Sequence, residues 1–182
     1  MEHLESNEDE LYLGEEKPSK FKKFFIISIA IFLLIIFITY FTTTPEVQYV
    51  IFGFIDSSTI KEKEISINST NKLIFERDSY ETLIKLHNKN LEVEFKACLN
   101  GYIDKGDYYI DNVIQPETFL QSYKQVIAEP CPSTSLVDLH SHPFKRCLPS
   151  EQDFKSFKSF KERNPNALMA ILCEQDRFSF YS

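Results

Sequence analysis

Hydrophobic and polar positions divide this chain into three stretches of different rhythm. Residues 1 to 16 are polar and acidic, a composition that predicts disorder. Residues 24 to 41 carry no charge, no Pro and no Gly. At 1.5 Å per residue, and with the threonines after it, this run reaches the ~30 Å of a bilayer's hydrocarbon core. It shows no polar face beyond Ser28 and Thr39, as a buried core helix would, and it lacks the short apolar region and small-residue cleavage site of a signal peptide. The pattern predicts an acidic tail over 1–23 and one uncleaved transmembrane helix over 24–43.

Beyond the span, Thr42-Thr43-Thr44-Pro45 should break the helix, because proline cannot continue it. Over 44–71, Val47 to Phe54 and Glu64 to Ile67 read as short strands around a polar turn, in a linker or stalk that either stands apart or joins the domain beginning at Lys72. Asn68-Ser69-Thr70 fits a glycosylation acceptor, a common triplet. From Lys72 to Ser182 the rhythm is that of an α/β domain. Lys72 to Glu76, Phe95 to Ile103 and Tyr108 to Ile114 read as strands, and Asp104-Lys105-Gly106-Asp107 suits a tight turn. Asp78 or Ser79 can cap a helix carrying Leu83, Ile84 and Leu86, with His87 near its end, where a positive imidazole suits the dipole. Gln121 to Ile127 fits strand or helix. Ser135 to His142 reads as a strand, and Ala167 to Cys173 as a central strand buried on both faces. Between them Ser150 reads as an N-cap, Asp153 as the third helical position, and Phe154, Phe157 and Phe160 as core. Strand, helix, strand in that order implies a crossover to a parallel neighbour.

Charge adds orientation. Lys17, Lys20, Lys22 and Lys23 precede the span and no Lys or Arg comes after it until Lys61, so the N-terminus is expected in the cytoplasm and the domain outside. Net charge is −7, of which four Lys against seven acids put −3 in residues 1–23. No basic stripe is present to neutralise phosphates, which argues against a nucleic-acid partner. Lys145-Arg146 fits either recognition of an acidic substrate patch or a solvated loop.

The candidate chemistry lies in His140-Ser141-His142-Pro143 and Pro149-Ser150-Glu151-Gln152-Asp153. Side chains two apart share a strand face, so the two histidines can point together, and Asp153 can close the third side of a metal site. Two nitrogens and one carboxylate leave a tetrahedral zinc one open position, the mark of a catalytic site. Asp138 shares the face of the histidines and can orient an imidazole or stand exposed at the strand end.

This arrangement resembles the signature of the JAMM (MPN-plus) zinc metalloproteases, with the same spacing, and most of all their minimal prokaryotic members. The resemblance covers about residues 72 to 182. It extends to a glutamate ahead of a short strand ending in glycine, here Glu94 before Gly101. It implies a cytidine-deaminase-like mixed sheet flanked by helices, Zn2+ on His140, His142 and Asp153, Glu94 as general base, and Ser150 as donor to the oxyanion. Glu92 shares the strand parity of Glu94 and is the alternative base. The activity implied is hydrolysis of a peptide or isopeptide bond in a protein or peptide substrate, ubiquitin-like conjugates among the candidates. The rival from another class is an inert MPN-type scaffold on a membrane anchor; a third is an anchor whose acidic tail is the active part. Cys147 lies in the loop after His142, and the crossover brings Cys173 beside that loop, so an oxidising exterior should pair them. Cys98 then remains a buried thiol, with Cys131 the alternative partner for Cys147.

Overall fold

The computed structural model describes residues 19–182, so the acidic tail expected to be disordered lies outside the described residues. The chain divides into two compact units, one ending at Thr43 and one running from Thr44 to Ser182. In the first, helix α1 (Lys20–Thr43) is long and apolar enough to cross a membrane and buries none of its residues. Its three C-terminal threonines, Thr39, Thr42 and Thr43, bond back within the helix. Thr39 Oγ1 donates to the Ile35 carbonyl at 2.8 Å and Thr43 Oγ1 to that of Thr39 at 2.7 Å, as apolar surroundings demand.

The second unit begins with helix α2 (Pro45–Asp56), where the branched and aromatic residues of Val47 to Phe54 predict a strand. Pro45 occupies the first helical position, where its fixed φ favours a helix start and its missing N–H is no loss. A short apolar run does not by itself distinguish helix from strand.

The rest of the segment 44–71 belongs to the domain. Strands β1 (Ser58–Thr59) and β2 (Glu64–Ser66) lie at the two edges of an eight-stranded sheet. The other members are β3 (Lys72–Phe75), β4 (Lys96–Asp104), β5 (Asp107–Ile114), β8 (Val137–Ser141), β9 (Leu168–Glu174) and β10 (Arg177–Tyr181). Their order is β1-β10-β9-β8-β4-β5-β3-β2, with β3/β5 and β8/β9 parallel and the remaining pairs antiparallel. The expected parallel partner of the histidine strand is therefore present, whereas β10 is an addition to the expected elements. The ambiguous stretch Gln121 to Ile127 is neither one strand nor a helix: β6 (Thr118–Gln121) and β7 (Val126–Ala128) form a separate hairpin whose turn falls inside it.

Two glycines fix local geometry. Lys105 (φ 51°) and Gly106 (φ 94°) are both left-handed, which makes the tight turn from β4 to β5. At Gly101 a Cβ would lie 1.8 Å from the Tyr109 carbonyl oxygen, beside a register shift in the β4–β5 ladder. No other residue fits that approach.

Helices cover both faces. Leu83 of α3 (Ser79–Lys89) packs in one core with Phe95, Leu99, Leu139, Ala170 and Leu172. Phe157 and Phe160 of α4 (Glu151–Arg163) pack in the other with Cys98 and Met169. Neither expected cap of α3 forms: Asp78 makes no side-chain cap bond, and Ser79 Oγ donates to the carbonyls of Glu76 and Ile110. In α4 the buried stripe runs through Asp153, Phe157 and Phe160. Phe154, expected as core, lies one position off that stripe; it is 48% exposed and meets the Tyr181 ring edge-on at 5.7 Å.

The cysteines agree with one expectation and correct the other. Cys147 and Cys173 are paired, with Cα atoms 5.0 Å apart, as the crossover implies. Cys98 is no free thiol, because it is bridged to Cys131.

Candidate metal centre

The site forms where strand parity and a helix cap converge on the α4 side of the sheet. β4 and β8 pair so that Lys96 stands opposite His140 and Cys98 opposite Asp138. Alternation sends Ala97, Leu99, Val137 and Leu139 into the α3 core. Glu94, Lys96, Asp138 and His140 thereby belong to the other face, and all four are buried. The end of β8 is fastened on both sides. Ser141 N–H donates to the Phe95 carbonyl, the Phe95 N–H to Ser141 Oγ, and the His142 N–H to the Leu172 carbonyl.

The third element is the start of α4. Ser150 caps it by accepting from the Asp153 N–H at 3.2 Å, while Asp153 Oδ2 accepts from the Ser150 N–H and from Ser150 Oγ, each at 2.7 Å. This is a capping box with aspartate in the glutamate position. The shorter side chain is held at the helix N-terminus, whose partial positive charge favours carboxylate.

The sequence-selected residues meet here. His140 Nδ1 lies 3.2 Å from Asp153 Oδ1, and His142 Nε2 lies 3.1 Å from Asp153 Oδ2 and 4.0 Å from Glu94 Oε1. Glu94 and Ser150 to Asp153 line one cleft of about 320 Å³ with His140 and, on the far wall, Lys124 to Ala128 of the β6–β7 hairpin. Glu92, the alternative base, is exposed in the turn before β4.

Behind His140 stands a pair of which the sequence points to one member. Asp138 is buried; its Oδ1 lies 3.3 Å from His140 Nε2 and its Oδ2 3.0 Å from Lys96 Nζ. Lys96 is the member that pattern reading misses. The available signal is a lysine inside the apolar run Phe95 to Leu99 at the parity of Glu94, but its partner is 42 residues away. The loop lysine Lys145 pairs with Glu174 at 2.8 Å, and Arg146 lies over the Tyr49 ring. His87, expected to be positive at the end of α3, has a buried and unpartnered Nδ1, and burial pushes its pKa down.

Protonation depends on these contacts. Burial pushes the Glu94 carboxyl above the usual carboxylate range, despite His142 nearby. For Asp153 burial acts in the same direction, but the His142 hydrogen bond, the charges of both histidines and the Ser150 hydroxyl outweigh it and hold the carboxyl well below its ordinary value. Asp138 is likewise held low against burial by His140 and Lys96.

Among the described residues, no group of three or more His, Cys, Asp or Glu is arranged to hold a metal ion. Asp153 instead bridges the two imidazoles with different oxygens. The donor types, two imidazoles and a carboxylate, are nevertheless ones that zinc takes. Both ring nitrogens of His140 and Nδ1 of His142 are buried without a hydrogen bond. Neither a scan of protein-family models nor a search of curated proteins finds a match to this chain.

Proposed function

We propose that this chain is a membrane-anchored, zinc-dependent peptidase or isopeptidase of the JAMM type, acting outside the cytoplasm on a protein or peptide. The observation that carries the reading is Asp153, a helix-capping carboxylate within 3.2 Å of both histidines, with Glu94 buried 4.0 Å from one of them. His140, His142 and Asp153 would hold Zn2+, with the buried Asp138 carboxylate 3.3 Å from the far nitrogen of His140 and so placed to orient that ring. When bound, zinc would supply Lewis acidity, polarising the scissile carbonyl and acidifying water. Glu94 takes a proton from water and returns it to the leaving amine; burial raises its carboxyl above the usual carboxylate range, which favours its holding the proton in transit. Ser150 Oγ now donates to Asp153 Oδ2, and turning that proton into the cleft would serve the oxyanion. The extracytoplasmic placement draws on the lysines ahead of the span and on two disulfides, since cytosolic reductants keep thiols reduced.

One observation favours the inert scaffold: the donors close on each other instead of ringing a vacancy. Metal content of the purified full-length chain decides between the two. About one zinc per chain is expected, lost in His140→Ala and in Asp153→Ala, because two remaining ligands hold the ion too weakly. Full zinc in both variants, or none in the parent under zinc-replete conditions, would overturn the site.

A further inference from the structure

Helix α2 is attached to its domain along one edge and bare on the other. Gly53 is buried against the loop that carries Cys147; a Cβ there would stand 3.0 Å from the Cys147 Cβ. The same edge places Tyr49 beneath Arg146, Phe54 4.2 Å from the Arg177 guanidinium, and Asp56 as acceptor for the Tyr181 hydroxyl at 3.4 Å. Two residues along a helix turn through about 200°, so Ile51 and Ile55 lie opposite Gly53. They are 44% and 74% exposed, and Phe52 and Phe54 beside them 58% and 60%. A contiguous apolar face of this kind marks a binding surface.

Connectivity says what covers it. Only Thr44 separates the end of α1 from Pro45, the first residue of α2. At 3.8 Å per residue, α2 starts within about 8 Å of the end of the membrane-length helix, whatever the angle between the two units. Its 12 residues rise only about 18 Å, too little to span a bilayer. We infer that α2 lies in the plane of the membrane interface, with Ile51, Phe52 and Ile55 set into the lipid below the headgroups. The helix contains no Lys or Arg, so the attachment is apolar and needs no anionic lipid.

Cys147 belongs to the loop between His142 and Ser150, so the helix that grips the bilayer also holds the loop that joins these two residues. If the proposed chemistry holds, the substrate is polypeptide lying close to the membrane surface. That corollary rests on the zinc reading; the lipid contact does not, and the experiment reads the contact alone.

The chain has no tryptophan, which makes one introduced indole a unique reporter. Full-length Ile55→Trp, and separately Phe52→Trp, would be reconstituted into phosphatidylcholine vesicles. Each should emit at shorter wavelength than an exposed indole. Lipids brominated near the headgroup end of the acyl chains should quench it strongly, those brominated near the chain ends less, with no change at high salt. Tyr102→Trp, at the far end of β4 from Lys96, is the reference and should show water-like emission without quenching. Water-like, unquenched emission at both α2 positions would overturn the inference. So would short-wavelength emission that brominated lipid leaves intact, which would mean that a second copy or another protein covers the face.

Discussion

Glu94 and Glu92 sit two residues apart, yet only one is placed to act on the candidate centre. Glu94 is buried at 4.0 Å from His142, whereas Glu92 is exposed in the preceding turn. Glu94→Gln should therefore keep zinc and lose turnover by roughly 10²- to 10⁴-fold, the usual contribution of general acid/base catalysis. Glu92→Gln should leave both unchanged. Parallel zinc and peptidase assays of the two variants check this, and loss of turnover in Glu92→Gln alone would move the base by two residues. The Lys96–Asp138 pair calls for a different test. Neither residue has water to fall back on, so Lys96→Ala strands a buried carboxylate and should cost about 3–5 kcal/mol of folding stability. Denaturant unfolding of Lys96→Ala, Asp138→Asn and the double variant measures it: the double should lose less than the sum of the two singles, and losses that simply add would show that the pair is not coupled. The meeting of His140, His142, Ser150 and Asp153 at one place was legible because strand alternation and helix capping are short-range rules. Lys96 was not, since its role depends on a strand register joining positions 42 apart.

Among the elements, α4 and α2 mark the limits of pattern reading. In α4 the cap residue, the acid three positions on and the phenylalanine spacing all point to one start, and the observed capping box has those partners. In α2 the composition favours a strand, and what tips it to helix is Pro45 at the first position together with a seat on Cys147 that only tertiary structure reveals. That seat includes a titratable contact outside the candidate centre. Burial and the charge of Asp56 push the Tyr181 hydroxyl up to about 12, against a weaker opposing bond with Ser179. The unfolded phenol ionises near 10, so the folded chain holds this proton more tightly. The resulting stability is fully present below about pH 10 and is lost as pH rises towards 12. Unfolding midpoints should then fall more steeply across that window in the parent than in Tyr181→Phe. Parallel pH profiles would mean that the hydroxyl contributes nothing to the seat of α2.

For the molecule as a whole, the disulfides join fold to compartment. The Cys147–Cys173 bridge was legible because a parallel crossover must return the end of β9 beside the loop leaving β8. Cys98–Cys131 was not, because Cys131 sits in an irregular stretch between prolines. Only the pairing of β4 with β8 brings the approach to β8 over Cys98. The bridges close loops of 33 and 26 residues, and restricting the unfolded chain in this way stabilises by roughly 3 kcal/mol each. A domain in the cytoplasm would lose both to reductants, whereas the export expected from Lys17, Lys20, Lys22 and Lys23 on the N-terminal side of the span would preserve them. The expected outcome is that cells quenched in acid yield a full-length chain whose four cysteines resist a mass-tagging maleimide until reductant is added. Protease supplied from outside should digest the domain while leaving a tag before Lys17 intact. Four cysteines tagged without reductant, together with a protected domain, would reverse the orientation and make a cytoplasmic substrate the one to seek.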